Sequence, residues 1–221
     1  PGELQCIVPC MGRCTGQPGG CSDRETTFSA PFSAAPGQTR LFLHILIVHI
    51  GNYYMTLSVC LIIKNEAEVL ERCLTCVKKF ADEIVVVDTG SDDNSVEIAK
   101  KFTDKVHFFK WCDDFSAARN FAFDKASSDL LMWLDADDVI DDDNCHKIEK
   151  LKNNFDGFDM AMLPYAAAFD GEVPTFIYNR ERIFRRDKGY RFNGEVHEAV
   201  NLFGKIFYSD ALICHKKVKE N

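Results

Sequence analysis

Residues 130–138 read LLMWLDADD, an apolar run that ends abruptly in three carboxylates. Consecutive apolar residues followed by polar ones predict a strand buried on both faces, as in a parallel sheet. Asp135 and Asp137 lie two positions apart, so in an extended segment their side chains point to the same side. Hard oxygen ligands at this spacing suit Mg²⁺ or Mn²⁺, with diphosphate oxygens completing the coordination shell. The stretch therefore predicts a strand end that binds a metal and a diphosphate.

The residues before this strand repeat one pattern, in which an apolar run is followed by an amphipathic segment. The apolar runs predict strands, and apolar positions three and four apart predict helices. Such alternation indicates βαβ units and a mostly parallel sheet flanked by helices, an α/β, Rossmann-like class. We expect strands at 57–63, 84–87, 106–109 and 130–134, and helices at 66–80, 94–102, 115–126 and 141–151.

The second half of the sequence has a different pattern. Asp170-Gly171 is a strong hairpin-turn signal between two segments of extended character. We predict strands at 158–165, 176–184 and 200–208, which would form a mixed or antiparallel C-terminal edge of the same domain. We expect a basic stretch in this half to be a solvated face. Two alternatives stay open: it binds an anionic acceptor, or it balances the negative charge of the acidic site. Its members are Arg180, Arg182, Arg185, Arg186 and Arg191.

Residues 1–54 differ in composition from the rest of the chain. They hold five of the seven prolines, and their three arginines balance three acidic residues, so the whole formal charge of −8 lies in 55–221. Such a segment has little apolar surface to offset its chain entropy. We predict an irregular, poorly ordered extension at 1–54 and one domain at 55–221. Because the sequence stops in a charged tail soon after His215, we expect the native protein to continue.

Charge, cysteines and hydropathy exclude several function classes. The acidic balance argues against nucleic-acid binding, which needs a basic face for the phosphates. The apolar segment 41–50 is too short for a membrane span of about 20 residues, so we predict no transmembrane anchor. The first four of the ten cysteines lack the paired spacing of a zinc site, and the others are scattered. Scattered thiols favour a reducing compartment, the cytoplasm.

Polar residues also come directly after the first two predicted strands, at 64–66 and 88–94. Ligands of open parallel sheets bind beyond the carboxyl ends of the strands, so these segments should adjoin Asp135. Helix capping accounts for some of the polar side chains, Ser91 and Asp93 among them.

Together these segments resemble family 2 glycosyltransferases with the GT-A fold, of bacterial type. The resemblance rests on four motifs in order: Lys64-Asn65-Glu66 after an apolar strand, residues 84–94 (IVVVDTGSDDN), residues 116–120 (SAARN) and residues 133–138 (WLDADD). A later segment, Gly194-Glu195-Val196-His197-Glu198, is also similar to one in bacterial members.

The resemblance implies a nucleotide-diphosphate sugar as donor, with a UDP-sugar favoured, and Mg²⁺ or Mn²⁺ as cofactor. It implies that Asp88 binds the base, that Arg119 offsets the diphosphate charge, and that Asp137 binds the metal. Residues 55–152 would form the donor half and 153–221 the acceptor half. The donor-site residues so implied are Ile63, Lys64, Asn65, Glu66, Asp88, Ser91, Asp92, Asn94, Arg119, Asp135, Ala136 and Asp137.

The resemblance also implies inversion at the anomeric carbon, which needs a carboxylate as general base. The candidates are Glu198, Asp138 and Glu195, and we favour Glu198. We predict His197 as a metal ligand beside Asp137 and Asp135, with His215 as a second candidate. Neighbouring strand residues point to opposite faces, so both roles at 197 and 198 need a turn there. A local hydrogen-bonded pair of His197 and Glu198 is the alternative.

The acceptor class implied is a saccharide, a lipid-linked glycan or a peptide, as in cell-envelope polysaccharide synthesis. The location implied is the cytoplasm, at the inner face of the membrane. Two rival functions stay open at this point. One is a non-catalytic nucleotide-sugar or carbohydrate-binding fragment. The other is a nucleotidyltransferase, against which the absence of glycine from Lys64-Asn65-Glu66 counts.

Overall fold

The computed structural model describes residues 54–216, so the predicted extension at 1–54 lies outside the described residues except for Tyr54. The helices are α1 (Ala67–Val77), α2 (Ser95–Ala99), α3 (Phe115–Lys125) and α4 (Asp142–Asn153). The strands are β1 (Leu57–Ile63), β2 (Glu83–Asp88), β3 (Val106–Phe108), β4 (Leu130–Leu134), β5 (Asp138–Val139), β6 (Met160–Asp170), β7 (Val173–Arg185), β8 (Phe192–Asn193), β9 (Ala199–Val200), β10 (Ile206–Tyr208) and β11 (Ile213–His215).

Nine of these strands form one mixed sheet in the order β3-β2-β1-β4-β7-β6-β11-β5, with β10 beside β6. The pairs β1–β2, β1–β4 and β2–β3 are parallel, whereas β7 runs antiparallel to β4 and β6. The predicted α/β class, with a parallel half and a mixed C-terminal edge, is confirmed. The strand order also brings the carboxyl ends of β2, β1 and β4 side by side.

Two apolar layers cover the sheet because the strands alternate their side chains. Leu57, Val59 and Leu61 of β1 pack on one face, which α1 and α4 also cover. Cys60 packs on the opposite face with Ala122 and Phe123 of α3. Burial on both faces explains why β1 and β4 read as continuous apolar runs rather than alternating ones.

Local sequence also sets where the helices begin. The carboxylate of Asp114 accepts a hydrogen bond from the backbone N–H of Ala117 at 2.9 Å and caps α3. Asp141 caps α4 in the same way through the N–H of Asn144 at 2.8 Å. Each cap satisfies a backbone donor that the first helical turn leaves unpaired. Asp141, one of six aspartates in the acidic run at 135–143, is thereby a helix cap.

The C-terminal half contains a long hairpin of β6 and β7, and Gly171 and Glu172 form its turn, one residue beyond the start of the predicted Asp170-Gly171 signal. The prediction of one extended run at 200–208 is wrong in detail, since two short strands lie there. Gly204 separates them with a φ of 76°, and the Asp159 carboxylate accepts a hydrogen bond from the neighbouring Lys205 N–H at 2.8 Å. Glycine adopts this left-handed conformation without steric cost, so the chain turns there.

Among residues 54–216, no helix combines the length and the hydropathy that crossing a bilayer requires.

Candidate functional site

A cavity of about 540 Å³ lies where β1, β2 and β4 end. Ile63, Lys64 and Glu66 line it from the end of β1, and Thr89 lines it from the end of β2. This is the crevice in which open parallel sheets bind their ligands. We call it the first cavity. The rest of its lining consists of Ile62, Trp111, Phe115, Arg119, Asp135, Ala136, Asp137 and His215.

The acidic turn after β4 is closed by its own last carboxylate. The backbone N–H of Asp135 donates to Oδ2 of Asp138 at 3.0 Å, and the N–H of Asp138 donates to the carbonyl of Asp135 at 3.1 Å. These reciprocal bonds fix the turn and leave Asp137 near its middle. Asp138 is 1% exposed, so its carboxylate is directed into the protein.

His215 completes an acidic cluster with Asp137 and Asp138. It lies opposite Asp138 because β11 pairs antiparallel with β5. Its Nδ1 is 3.1 Å from Oδ1 of Asp137 and 3.6 Å from Oδ1 of Asp138. The carboxylate of Asp137, and then that of Asp138, raise the pKa of His215 to about 9. In the absence of a cation the imidazole is therefore protonated at neutral pH.

The donor set of this cluster fits a divalent cation. One ligand atom from each of Asp137, Asp138 and His215 lies within 4.8 Å of the others. Nδ1 of His215 and Oδ1 of Asp138 are buried, and Nδ1 faces carboxylate oxygens of Asp137 and Asp138 at 3.1 and 3.6 Å. Two carboxylates and an imidazole are suitable ligands for Mn²⁺ or Mg²⁺.

Arg119 of α3 links the two sides of the site. Its Nη2 lies 2.7 Å from Asp135 Oδ1, and its Nε lies 2.7 Å from Glu198 Oε1. The guanidinium also stacks over the Trp133 ring, 4.3 Å from the ring centre. Arg119 is 6% exposed, and its charge lowers the pKa of the partly buried Asp135, against the effect of burial. Arg119 is thus a buried cation rather than a surface arginine.

Arg182 is a second buried arginine beside the acidic turn. The prediction of a solvated basic face is wrong for this residue, which is 0% exposed. Its Nη1 lies 3.2 Å from Oδ2 of Asp138 and donates to the carbonyl of Trp133 at 3.1 Å. Compensation of the acidic site, an alternative left open by the sequence, is what the geometry supports for Arg182.

The β8–β9 loop contains the Gly194–Glu198 motif and borders a second cavity of about 440 Å³. His197 has a φ of 59°, so the chain does turn between positions 197 and 198. His197 and Glu198 line the second cavity, and Arg119 and Asp135 line both cavities. Within the described residues His197 belongs to no cluster of three ligating groups, and Glu198 pairs with Arg119 rather than with His197.

Glu195 is exposed, and neither cavity has it among its lining residues. Its backbone carbonyl accepts a hydrogen bond from the N–H of Phe115 at 3.0 Å, which ties the β8–β9 loop to the start of α3.

The loop after β2 lies against the end of β1 but, apart from Thr89, does not line either cavity. The carboxylate of Asp88 accepts hydrogen bonds from the N–H groups of Gly90 and Ser91, both at 3.1 Å. The Asn65 side chain accepts a hydrogen bond from the N–H of Asp92 at 2.8 Å. These bonds fix the loop next to Lys64 and Thr89, which line the first cavity. Asn94 is exposed and directly precedes α2.

Several cavity residues had no signal in the sequence. Trp111 and Phe115 contact each other with ring centres 4.8 Å apart and form an aromatic wall of the first cavity. Arg180 and Glu181 line the second cavity, although they lie in a segment read as a solvated face. Oε1 of Glu181 is buried without a hydrogen-bond partner in the described part of the chain. Only long-range pairing of β7 with β4 brings these two residues to the site.

Comparison with known proteins identifies the family. The model of "Glycosyl transferase family 2" matches residues 58–209. The chain therefore belongs to glycosyl transferase family 2, and the resemblance seen in the four motifs is confirmed.

The relatives are longer proteins. The chain is 37% identical over 161 residues to a TPR repeat-containing protein of Synechococcus elongatus, covering 69% of this chain and 37% of the relative. It is 33% identical over 147 residues to the prophage-derived glycosyltransferase SunS of Bacillus subtilis, covering 65% and 34%. The chain thus spans about a third of the length of these two relatives.

Among solved structures, S. aureus TarS in complex with UDP-GlcNAc superposes with a TM-score of 0.54 at 19% identity. The match covers 76% of this chain and 60% of that chain. At this identity the likeness concerns the fold alone, and it confirms the predicted GT-A architecture.

Proposed function

We propose that this member of glycosyl transferase family 2 transfers a sugar from a UDP-sugar to an acceptor hydroxyl, with a divalent cation and with inversion. The observation that carries the proposal is the first cavity. It adjoins Arg119, a buried cation, and the Asp137–Asp138–His215 cluster at the ends of parallel strands. One site thus provides an aromatic wall for a base, a cationic side chain and a cation-binding cluster.

The donor assignment is supported by the lining of the first cavity. Trp111 and Phe115 provide apolar ring surface on which a uracil ring could pack. Arg119 is a forked donor suited to phosphate oxygens, and one of its present partners, Asp135, also lines the cavity. TarS, which shares the fold, has been crystallised with UDP and with UDP-GlcNAc. We propose that the donor of this chain carries the same nucleotide, UDP.

Asp137, Asp138 and His215 would hold the cation. When bound, a divalent cation acts as a Lewis acid that stabilises the negative charge of the departing diphosphate. To bind it, His215 must lose its proton, because Nδ1 is the atom that faces the two carboxylates. Asp135 lies outside the three-residue cluster and contacts Arg119, so we place it at the ribose side of the donor.

The second cavity is proposed as the acceptor site, with Glu198 as the general base. Its carboxylate would take the proton of the acceptor hydroxyl while the hydroxyl oxygen bonds to the anomeric carbon. The bond from that carbon to the diphosphate breaks, and the electron pair leaves with UDP. Arg119 contacts Glu198 at 2.7 Å and fixes the position of its carboxylate at the second cavity. The neighbouring Glu181, with one unpaired oxygen among the described contacts, is a candidate to bind another acceptor group.

Calorimetry tests the donor site. We expect UDP to bind wild-type protein more tightly with Mn²⁺ than without it, and the Asp137→Ala variant to lose at least tenfold of that Mn²⁺-dependent affinity. Asp143→Ala is the matched control, because Asp143 belongs to the same acidic run but is exposed at the start of α4. GDP is titrated in parallel. Tighter binding of GDP would overturn the uridine assignment, and no binding of either nucleotide would overturn the donor site.

Release of UDP from UDP-GlcNAc separates catalysis from binding. A transferase should hydrolyse the donor slowly in the presence of Mn²⁺, whereas a binding module would bind it intact. The latter outcome would favour the alternative of a non-catalytic fragment.

The six described cysteines are free thiols, which supports a reducing compartment such as the cytoplasm.

A further inference from the structure

We propose that Arg182 is a positioning residue that fixes the acidic turn and thereby sets the contact of Asp137 with His215. The inference deepens the proposed metal-dependent function and rests on it. Arg182 is not among the residues that line the first or the second cavity. Its guanidinium contacts Trp133, which lines the second cavity, and Asp138, which belongs to the acidic cluster. We therefore infer that its effect on the metal ligands passes through Asp138.

The backbone explains how a charged side chain arrives in this interior. On β7, Glu181 pairs with Met162 of β6 and Ile183 pairs with Ala161, so Arg182 is an extra residue between two pairs. Such a bulge re-aims side chains, and bulges are over-represented beside active sites. Here the bulge directs the guanidinium toward β4 and the turn after it.

The guanidinium is held from several directions. Its central carbon lies 3.7 Å from the ring centre of Trp133 and 4.6 Å from that of Tyr165. Nη1 contacts both the Trp133 carbonyl and Asp138. A planar, forked cation can stack and donate at once, which an ammonium cannot do. The position of the Asp138 carboxylate is therefore tied to the rigid strand β4.

Asp138 connects Arg182 to the other two candidate metal ligands, Asp137 and His215. Its Oδ2, which Arg182 contacts, also accepts the N–H of Asp135 and closes the turn around Asp137. Its Oδ1 faces Nδ1 of His215 at 3.6 Å. Loss of the Arg182 contact would free the carboxylate on which both the turn and the imidazole depend.

Stability alone does not account for this arginine. Its Nε and Nη2 are buried without hydrogen-bond partners among the described residues, and an unpaired buried donor costs free energy. Apolar residues that replace a buried ion pair often leave stability unchanged or raise it. A buried, incompletely paired cation next to the candidate metal site is better explained by the geometry that it imposes.

The test compares Arg182→Lys and Arg182→Met with Arg185→Met. Arg185 ends the same strand away from the site and pairs with Asp187 near the surface, so it controls for loss of an arginine on β7. Three quantities are measured: Mn²⁺ affinity by electron paramagnetic resonance, uridine affinity by calorimetry, and the imidazole ¹⁵N signals of His215 in metal-free protein at fixed pH. Uridine lacks the diphosphate, so it reports on the nucleoside side alone.

We expect both Arg182 variants to bind Mn²⁺ at least tenfold more weakly and to shift the His215 signals, with uridine affinity changed less than twofold. Arg185→Met should match wild type in all three. If Arg182→Met does not fold, the inference is judged on Arg182→Lys alone. Wild-type Mn²⁺ affinity and unshifted His215 signals in a folded Arg182 variant would overturn the inference. Equal losses of Mn²⁺ and uridine affinity would also overturn it, because they indicate a merely structural role.

The outcomes also separate this inference from the proposed function. Wild-type protein that binds neither UDP nor Mn²⁺ would contradict the proposed function. Wild-type binding of both, with Mn²⁺ affinity retained in the Arg182 variants, would contradict only the role of Arg182.

Discussion

The pair of His215 and Asp137 should make the stability of the metal-free protein depend on pH in a predictable direction. The pKa of His215 is raised from 6.5 to about 9 in the folded protein. The native state therefore binds this proton more tightly than the unfolded state does. The resulting contribution to the free energy of unfolding is fully present below pH 6.5 and is lost as the pH rises through about 9.

The shift sets an upper bound on the effect. The difference between about 9 and 6.5, at about 1.4 kcal/mol per pKa unit, corresponds to about 3–4 kcal/mol. Solvent reaches 22% of the His215 side chain and 18% of the Asp137 side chain, so screening reduces the interaction. We expect a measured contribution of about 2 kcal/mol at pH 6.

Urea unfolding in the presence of a chelator measures this contribution in wild type and in His215→Gln at pH 6, 7.5 and 9.5. Subtracting the free energy of unfolding of His215→Gln from that of wild type removes the contributions of the other titrating groups. The difference should fall from about 2 kcal/mol at pH 6 to near zero at pH 9.5. His146→Gln, at an exposed position on α4, is the control for loss of a histidine outside the site. A His215→Gln difference that stays constant across this range would refute the reasoning.

Two further predictions concern the cations of the site. Arg119→Met should lower the free energy of unfolding by about 3 kcal/mol, because it leaves two partly buried carboxylates unpaired. It should also weaken UDP binding at least tenfold, whereas Arg191→Met, which removes an exposed ion pair, should cost less than about 1 kcal/mol. Mn²⁺ binding at pH 7.5 should release about one proton, from His215, because metal and proton compete for Nδ1. Calorimetry in buffers of different ionisation enthalpy counts that proton, and a buffer-independent enthalpy would contradict the competition.

The donor half of the fold could be predicted from the sequence because its signals are local. The apolar runs of β1 and β4 and the spacing of Val69, Leu70 and Leu74 in α1 are readable within a few residues. The C-terminal half was harder because its strands are short or irregular. A left-handed glycine at Gly204 broke a run that looked continuous.

The candidate site shows the same division between local and distant signals. Asp135 and Asp137 could be found because they come directly after β4 along the chain. The partners that determine their behaviour come from distant positions, namely Arg119 on α3, Arg182 at a bulge of β7 and His215 on β11. No periodicity within β7 indicates that Arg182 is buried while the other arginines of the basic stretch are not. Burial of that kind depends on register and bulge position, which long-range pairing decides.

The crowding of six aspartates at 135–143 is resolved by giving each carboxylate a different environment. Asp135 and Asp138 each contact a buried arginine, and Asp141 caps α4. Asp142 pairs with Lys79 at the surface, and Asp143 is exposed. Asp137 is then the member whose partner is a group that can lose its charge, the imidazole of His215. Arginine stays protonated at any working pH, so the other two contacts are permanent. The proton on Nδ1 of His215 is thus the positive charge beside Asp137 that can be lost. In the proposed metal-bound state a divalent cation would replace it.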